Sequence, residues 1–403
     1  MRFIFVLFLF MQIVLANSLQ NAIDKASAYD TIKLYSGVYK GDITINKPLT
    51  ILGIEKGVEI KGNGNGTVIK INSSDVILKN LIISNSGDKF YDIDSAIKIK
   101  NSKRCLIDRC TIKNTLYGID MSMVSDSNIT NNKITSNGKN IEFRGNGLKL
   151  YYSSNNLFFK NIIKDVKDIT LNYSHNNIFK ENRFLNSRFA THLSLSHSNI
   201  LENNFYQYNS VSIMIMGAKN TKIVKNKILS SKGSAGIGVV IKGVSNFKFK
   251  RNIVKFNAKG LYIEGGEKGK GIKREIIGNE ISYNKEALHF HQSIKDNIII
   301  DNRIFGNIDD VVKDLPSKIN SSNIIKRNYW DRYKGFDRDG DNIGDRPYRV
   351  YQYFSRLWEY NNKVKFFYAS PIMSALNFIS ELAPFIEPNL LIEDSEPILK
   401  KEL

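Results

Sequence analysis

Phe158-Phe159-Lys160-Asn161-Ile162-Ile163 is answered 21 residues later by Phe179-Lys180-Glu181-Asn182-Arg183-Phe184. The shared frame is a hydrophobic residue, two variable ones, Asn, one variable residue and a second hydrophobic one. It extends to both sides as Ile77-Asn80-Ile82, Ile107-Cys110-Ile112, Ile129-Asn132-Ile134, Ile200-Asn203-Phe205, Ile223-Asn226-Ile228, Phe249-Asn252-Val254, Ile276-Asn279-Ile281, Ile299-Asn302-Ile304 and Ile325-Asn328-Trp330. Read this way, ten of eleven copies keep the Asn, at intervals of 21 to 30 residues. Such uneven spacing does not suit a helical repeat but suits coils with loops inserted at their corners. Each copy alternates apolar and polar residues with period two, as in Ile213 and Ile215 against Met214 and Met216, or Leu148 and Leu150 against Lys149 and Tyr151. One coil cannot bury its own inner face, so the coils must stack about 4.8 Å apart. The repeated Asn then satisfies bend backbone and its neighbour in the next coil. The sequence therefore predicts an all-β right-handed parallel β-helix, a solenoid, over residues 17–330.

The remaining segments are read around that solenoid. Residues 1–16 carry an early cation, Arg2, an apolar run and a Val14-Leu15-Ala16 end, the pattern of a signal peptide for export. Leu19, Ala22, Ile23 and Ala26 have helical spacing and predict a short N-terminal capping helix. Residues 331–369 form an Asp- and aromatic-rich C-terminal cap. Ser370 and Pro371 open a helix whose apolar stripe is Ile372, Leu376, Ile379, Leu382 and Ala383, and the rest of residues 370–403 is an extended arm expected to dock on a partner. The net charge of +19 points to an anionic membrane surface or an acidic protein partner in an exported chain, and not to nucleic acid; a Lys-rich solvated outer face accounts for it equally well. Cys105 and Cys110, with mainly extended chain between them, are expected as free thiols.

Aligning the coils places one outward-facing pair per coil on a single strand face: Lys98/Lys100, Asp120/Ser122, Lys149/Tyr151, Thr170/Asn172, His192/Ser194, Met214/Met216, Val240/Lys242, Tyr262/Glu264 and His289/His291. Sugar chemistry needs paired acids or an acid beside a base, and the acids of this face, Asp120 and Glu264, fall six coils apart. No enzyme activity is expected, and Tyr151 and Tyr262 are too sparse for a carbohydrate-binding groove. Thioethers and an imidazole on one exposed face suit a soft cation, so His192, Met214 and Met216 are the candidate Cu(I) site. His289 with His291, and His175 with His197, are weaker candidate metal pairs. Asp337, Asp339, Asp341 and Asp345 have calcium-loop spacing, although Tyr348 stands where an EF-hand would place its last acid.

The C-terminal motifs carry a resemblance. Asn328-Tyr329-Trp330-Asp331, Gly335-Phe336-Asp337-Arg338-Asp339-Gly340-Asp341 and Ile343-Gly344-Asp345-Arg346-Pro347-Tyr348, followed by Tyr353-Phe354-Ser355-Arg356-Leu357-Trp358, Ala369-Ser370-Pro371 and Leu382-Ala383-Pro384-Phe385-Ile386-Glu387-Pro388, resemble the NosD family. The resemblance implies a periplasmic accessory protein that works with an ABC transporter and a copper chaperone to deliver copper to nitrous-oxide reductase, reaching the membrane through its partner. It leaves open which residues touch copper. A metal-free scaffold clamping reductase and transporter is the alternative.

Overall fold

The computed structural model describes residues 19–138, 140–265, 273–314, 322–352, 370–382 and 389–400. The segment read as a signal peptide, the motif residues 353–369 and residues 383–388 lie outside them. The chain divides into two compact units, Met1–Arg183 and Phe184–Leu403. In each unit it winds as coils of three short strands, every strand pairing in parallel with its counterpart in the neighbouring coil. In the first unit Leu106–Asp108, Thr111–Thr115 and Tyr117–Ser125 lie on Asn128–Thr130, Lys133–Ser136 and Leu148–Tyr151. In the second, Lys222–Val224, Lys227–Leu229 and Ile237–Lys242 lie on Phe247–Lys250, Ile253–Lys255 and Lys259–Glu264. The all-β parallel solenoid expected from the repeat is the fold of the chain.

Stacking puts like on like in the interior. The Phe158 and Phe179 rings lie 4.3 Å apart and 7° from parallel, and Phe184 stacks on Tyr206 at 4.9 Å. At the corner between the first two strands the Asn side chains form a ladder, each Oδ1 accepting the backbone N–H of the Asn one coil earlier. Asn132 to Asn161 and Asn161 to Asn182 are both 2.9 Å. Asn204 to Asn226, Asn226 to Asn252 and Asn252 to Asn279 are each 2.8 Å.

Two of the eleven sequence copies prove to be one residue out of register. The ladder runs through Leu81, not Asn80, because Leu78 pairs with Ile107; and through Asn204, not Asn203, because Leu201 pairs with Ile223. The physical reason is that the residue just before the ladder adopts a left-handed backbone, a conformation Asn tolerates better than most side chains. Asn80 and Asn203 occupy it at φ 57° and 52°, where other coils use Arg109, Lys160 or Lys225. Two adjacent sites thus favour the same residue type. Cys110 occupies the ladder position with its N–H donated to Asn132 Oδ1, and burial pushes its thiol up to about 12. Cys105 and Cys110 are both free and buried, in line with the sequence reading.

A solenoid leaves unpaired strand edges at its ends, and this chain covers them with amide side chains. Helix α1, Leu19–Lys25, buries Leu19 and Ile23. Its Gln20 accepts the Thr44 N–H at 2.7 Å and donates to the Thr44 carbonyl at 3.1 Å on the edge strand Ile43–Ile45. Gln352 treats Lys313 on the strand Asp309–Lys313 in the same way, at 3.2 and 3.1 Å. Tyr348–Gln352 pairs antiparallel with Asn389–Asp394, and the backbone then continues over the last coil, Ile398 N–H reaching the Asn328 carbonyl at 3.0 Å. Residues 389–400, expected to reach a partner, are therefore held by their own chain. Leu391, Ile392 and Asp394 are buried there, so covering the exposed edge of the final coil outcompetes an extended arm. Helix α2, Pro371–Leu382, forms where Ser370 and Pro371 predict it and leaves Ile372, Leu376, Phe378 and Ile379 exposed.

Candidate metal centre

The outer face of the third strand of each coil carries the aligned pairs, and within each unit its register agrees with the sequence alignment. In the first unit Lys98 lies beside Asp120, and Asp120 beside Lys149. Asp120 is 2% exposed and clamped by Lys149 Nζ at 3.3 Å and Lys98 Nζ at 4.0 Å, so its carboxylate is committed to charge balance. Burial, only partly offset by Asp120, holds the Lys98 amine below its usual range.

In the second unit His192 pairs with Met214, Met214 with Val240, Val240 with Tyr262, and Tyr262 with His289. Met216 stands two residues along from Met214, next to Ser194 on one side and Lys242 on the other. His192, Met214 and Met216 are all half-buried, while Ile213 and Ile215 between them are fully inside. Adjacent strands lie about 4.8 Å apart, which sets His192 and Met214 side by side, and Met216 follows at two-residue spacing, about 7 Å along the strand. Met side chains are long and flexible enough to converge from there. The Phe189 ring, 5.4 Å from the His192 ring, forms an apolar wall, with the Arg188 guanidinium 4.7 Å from the same ring. One imidazole and two thioethers beside an aromatic wall fit a soft monovalent cation and offer nothing to a hard one.

The His289/His291 pair has a different environment from the one expected. His289 is 2% exposed although its strand position faces outward. Tyr262 stacks on it at 4.9 Å, the Lys259 amine lies 2.9 Å from Nδ1, and Asp314 Oδ2 lies 3.0 Å from Nε2. The Glu286 carboxylate also bonds Nδ1. Asp314 Oδ2 is in addition 3.0 Å from His291 Nδ1. Burial works against a charged His289 imidazole, but the Asp314 and Glu286 carboxylates outweigh it and hold the group above its ordinary value. Glu286, despite its burial, is held below the usual carboxylate range by His289 and Lys259, and Tyr262 is pushed up to about 12 by burial and the surrounding acids.

Sequence reasoning missed Glu286, Lys259 and Asp314, and with them two acids on this face. Alternation is broken at the start of the strand: Ala287, in register with Gly260, packs into the corner, so Glu286 swings to the same side as His289 three residues on. A Cβ on Gly260 would sit 2.6 Å from the Ala287 carbonyl oxygen, which fixes a small residue there. The run of small residues at this position, Ser212, Gly238, Gly260 and Ala287, was the available signal.

The other candidates are placed as follows. His175 belongs to the first unit and His197 to the second. His197 Nδ1 accepts the Lys219 backbone N–H at 3.1 Å, and the His175 backbone N–H goes to Ser154 Oγ at 3.0 Å. Among the Asp residues, 337, 339 and 341 bring carboxylate oxygens within 4.8 Å of one another, while Asp345 accepts the Arg338 N–H at 3.1 Å and is not in the group. The same carboxylates also accept turn backbone, as Asp337 does from Gly340 at 2.6 Å and Asn342 at 2.9 Å. No helix among the described residues is long and apolar enough to cross a membrane.

Comparison with known proteins now gives this geometry a context. The family described as "Periplasmic copper-binding protein (NosD)" matches residues 138–335. A "Probable ABC transporter binding protein NosD" of Stutzerimonas stutzeri is 25% identical over 384 residues, covering 91% of this chain and 86% of the relative. A protein of the same name from Pseudomonas aeruginosa is 23% identical over 381 residues, covering 91% and 87%. Among solved structures, the A-modules of the Azotobacter vinelandii mannuronan C-5 epimerases AlgE6 and AlgE4 superpose with TM-scores of 0.59 and 0.54, each over 76% of this chain and over 93% and 94% of their own. At 13% and 14% identity, that likeness is one of fold alone.

Proposed function

We propose that the chain is a NosD-family protein that serves in the periplasm as a copper accessory protein, holding Cu(I) in transit on the outer face of the second unit. His192, Met214 and Met216 are the cargo ligands. The ion comes from a copper chaperone and goes to nitrous-oxide reductase, while an ABC transporter is bound through helix α2. The family's description as copper-binding and the relatives' names as transporter-binding proteins support the two halves of this reading. The observation that carries it is the register of His192 on Met214 with Met216 on the same face, a soft donor set on a surface where a Met pair has no core to fill. Three neutral donors that are half open to solvent favour exchange over tight retention, as a relay requires.

An anaerobic Cu(I) titration against a competing chelator tests it. Wild type is expected to withdraw one Cu(I), and the His192→Ala, Met214→Ala, Met216→Ala variant to bind at least roughly 100-fold more weakly, having lost every soft donor of the site. Equal binding by both proteins, or none by either, would remove the relay and leave a metal-free scaffold. The exposed Ile372, Leu376, Phe378 and Ile379 favour that second reading, in which deleting residues 370–382 abolishes transporter association while the triple variant loads reductase normally.

Calcium at Asp337, Asp339 and Asp341 is a separate, structural role for the C-terminal loop. Millimolar Ca2+ is expected to raise the thermal midpoint by a few degrees and EGTA to reverse it, as for weak extracellular sites. An unchanged midpoint, or the same rise in Asp339→Asn, would leave these carboxylates as turn acceptors only.

A further inference from the structure

We propose that the corner between the first and second strands of the second unit is a docking surface for an acidic protein segment, built by Lys222, Lys225, Lys227, Lys248, Lys250 and Arg251. This surface does not depend on where copper binds.

Its origin is a segregation of charge along the sequence. Residues 203–263 hold eleven lysines and arginines and no aspartate or glutamate, in a chain whose net charge is +19. The fold gathers the six named cations on two successive coils. Lys222 lies opposite Lys248 on the first strands, and Val224 opposite Lys250. Lys225 and Arg251 take the left-handed corner, each at φ 56°. Lys227 opens the second strand beside Ile253.

Two features of this corner work against stability. Like charges directly across neighbouring strands repel, and Lys222 faces Lys248. The left-handed corner favours Asn, which this unit uses at Asn203, yet the next two coils place cations there. Elsewhere in the unit cations are neutralised across coils, Lys242 by Glu264, Lys255 and Arg303 by Glu280, and Arg327 by Asp301. At the corner Glu275 meets Lys248 at 3.7 Å and Lys250 at 2.5 Å. Lys222, Lys225, Lys227 and Arg251 have no ion pair among the described residues. A solvated outer face accounts for lysines interspersed with acids, but not for an acid-free span folded onto one corner.

Shape and chemistry select the partner. Lys222, Lys248 and Lys273 line a groove of about 510 Å3 together with Asn220, Asn246 and Glu275. Lysine amines are point charges on flexible stems, without the rigid fork that fixes a single small anion. Spread over two strand faces and the corner between them, they suit several carboxylates carried on one chain. A bilayer fits less well, because interfacial binding needs apolar side chains to insert. Among the described residues, no large apolar side chain between Tyr208 and Phe256 is exposed. The third strand takes no part, so a partner seated here leaves His192, Met214 and Met216 open.

Fluorescence polarisation with a labelled deca-glutamate peptide tests the surface. Wild type is expected to bind at about 0.1 M salt and to release the peptide at about 1 M, where the Debye length has fallen from about 10 to about 3 Å. Lys222→Glu, Lys225→Glu, Lys227→Glu should bind at least about 10-fold more weakly. It should also melt no lower than wild type, since an acid opposite Lys248 removes a repulsion. Lys113→Glu, Lys133→Glu, Lys164→Glu, which changes the net charge equally but on the first unit, should alter binding less than about 2-fold. Equal losses in the two variants, no binding by wild type, or binding that survives high salt would each overturn the surface. So would sedimentation with phosphatidylglycerol vesicles that the corner variant loses, which would assign these cations to lipid. The Cu(I) titration should be the same in both variants, so failure of the relay and failure of this surface are read separately.

Discussion

Asp394→Ala is expected to destabilise the protein by on the order of 4 kcal/mol, and Asp394→Asn by less than about 1 kcal/mol. Asp394 is fully buried where the Asn ladder ends. Its Oδ2 accepts Asn328 N–H at 3.1 Å, Asn328 Nδ2 at 2.8 Å and Trp330 Nε1 at 2.9 Å. Alanine orphans three buried donors, each costing about 1–3 kcal/mol when left unmet. Asparagine offers the oxygen that nearly every other coil uses at this point. It also removes a charge that burial disfavours, since desolvation outweighs the three donors and keeps the Asp394 carboxyl above its ordinary range. Urea unfolding monitored by circular dichroism measures both effects. Sedimentation velocity should show end-to-end association of the Ala protein alone, because loosening residues 389–400 bares the edge they cover. If Asn proved as damaging as Ala, the charge and not the acceptor would be what the joint requires; if Ala cost less than about 1 kcal/mol, the tail would not seal the solenoid.

The second large effect is a pH dependence centred on Asp310. This residue lies in the last strand of the third stack, Asp309–Lys313, and receives the Tyr348 hydroxyl at 3.3 Å from the C-terminal hairpin. Burial, with Asp331 and Asp309 nearby, outweighs Arg332 and the Tyr348 hydroxyl and pushes its carboxyl up to about 7. A carboxyl whose folded value is raised binds its proton more tightly in the folded than in the unfolded chain. Its contribution is therefore fully present below the unfolded value of 3.8 and is lost as pH climbs to about 7. Three units correspond to a loss of about 4 kcal/mol across that window, with no further change above it. Asp310→Asn should abolish this part of the slope and be the more stable protein at pH 8. Urea midpoints of both proteins from pH 4.5 to 8 isolate the residue, because Glu280 and Glu286, held low by their cations, contribute with the opposite sign to both. Parallel curves would mean that Asp310 is solvated when charged.

Both effects lie at a joint that no repeat announces. The solenoid itself was legible from residues 77–330, since period-two alternation and a recurring Asn dictate stacked strands whatever the loops do. The outward pairs of the third strand were legible too, down to His192 facing Met214. Legibility failed where two positions prefer the same residue, as at Asn80 and Asn203, and where alternation is interrupted at a corner, as at Ala287. It failed again for residues 389–400, whose composition suits an arm as well as it suits an edge-covering strand.

A chain of this pattern had no choice about becoming a parallel solenoid, because hydrophobic burial and backbone pairing both follow from local periodicity. It likewise fixed the placement of sulfur and imidazole on one outer face. Which groups meet across coils depends on loop lengths and corner packing, which are settled only when the whole stack closes. Tertiary structure alone therefore placed Glu286 on His289, brought Asp314 to both imidazoles and turned the terminal segment back to end the ladder with an aspartate.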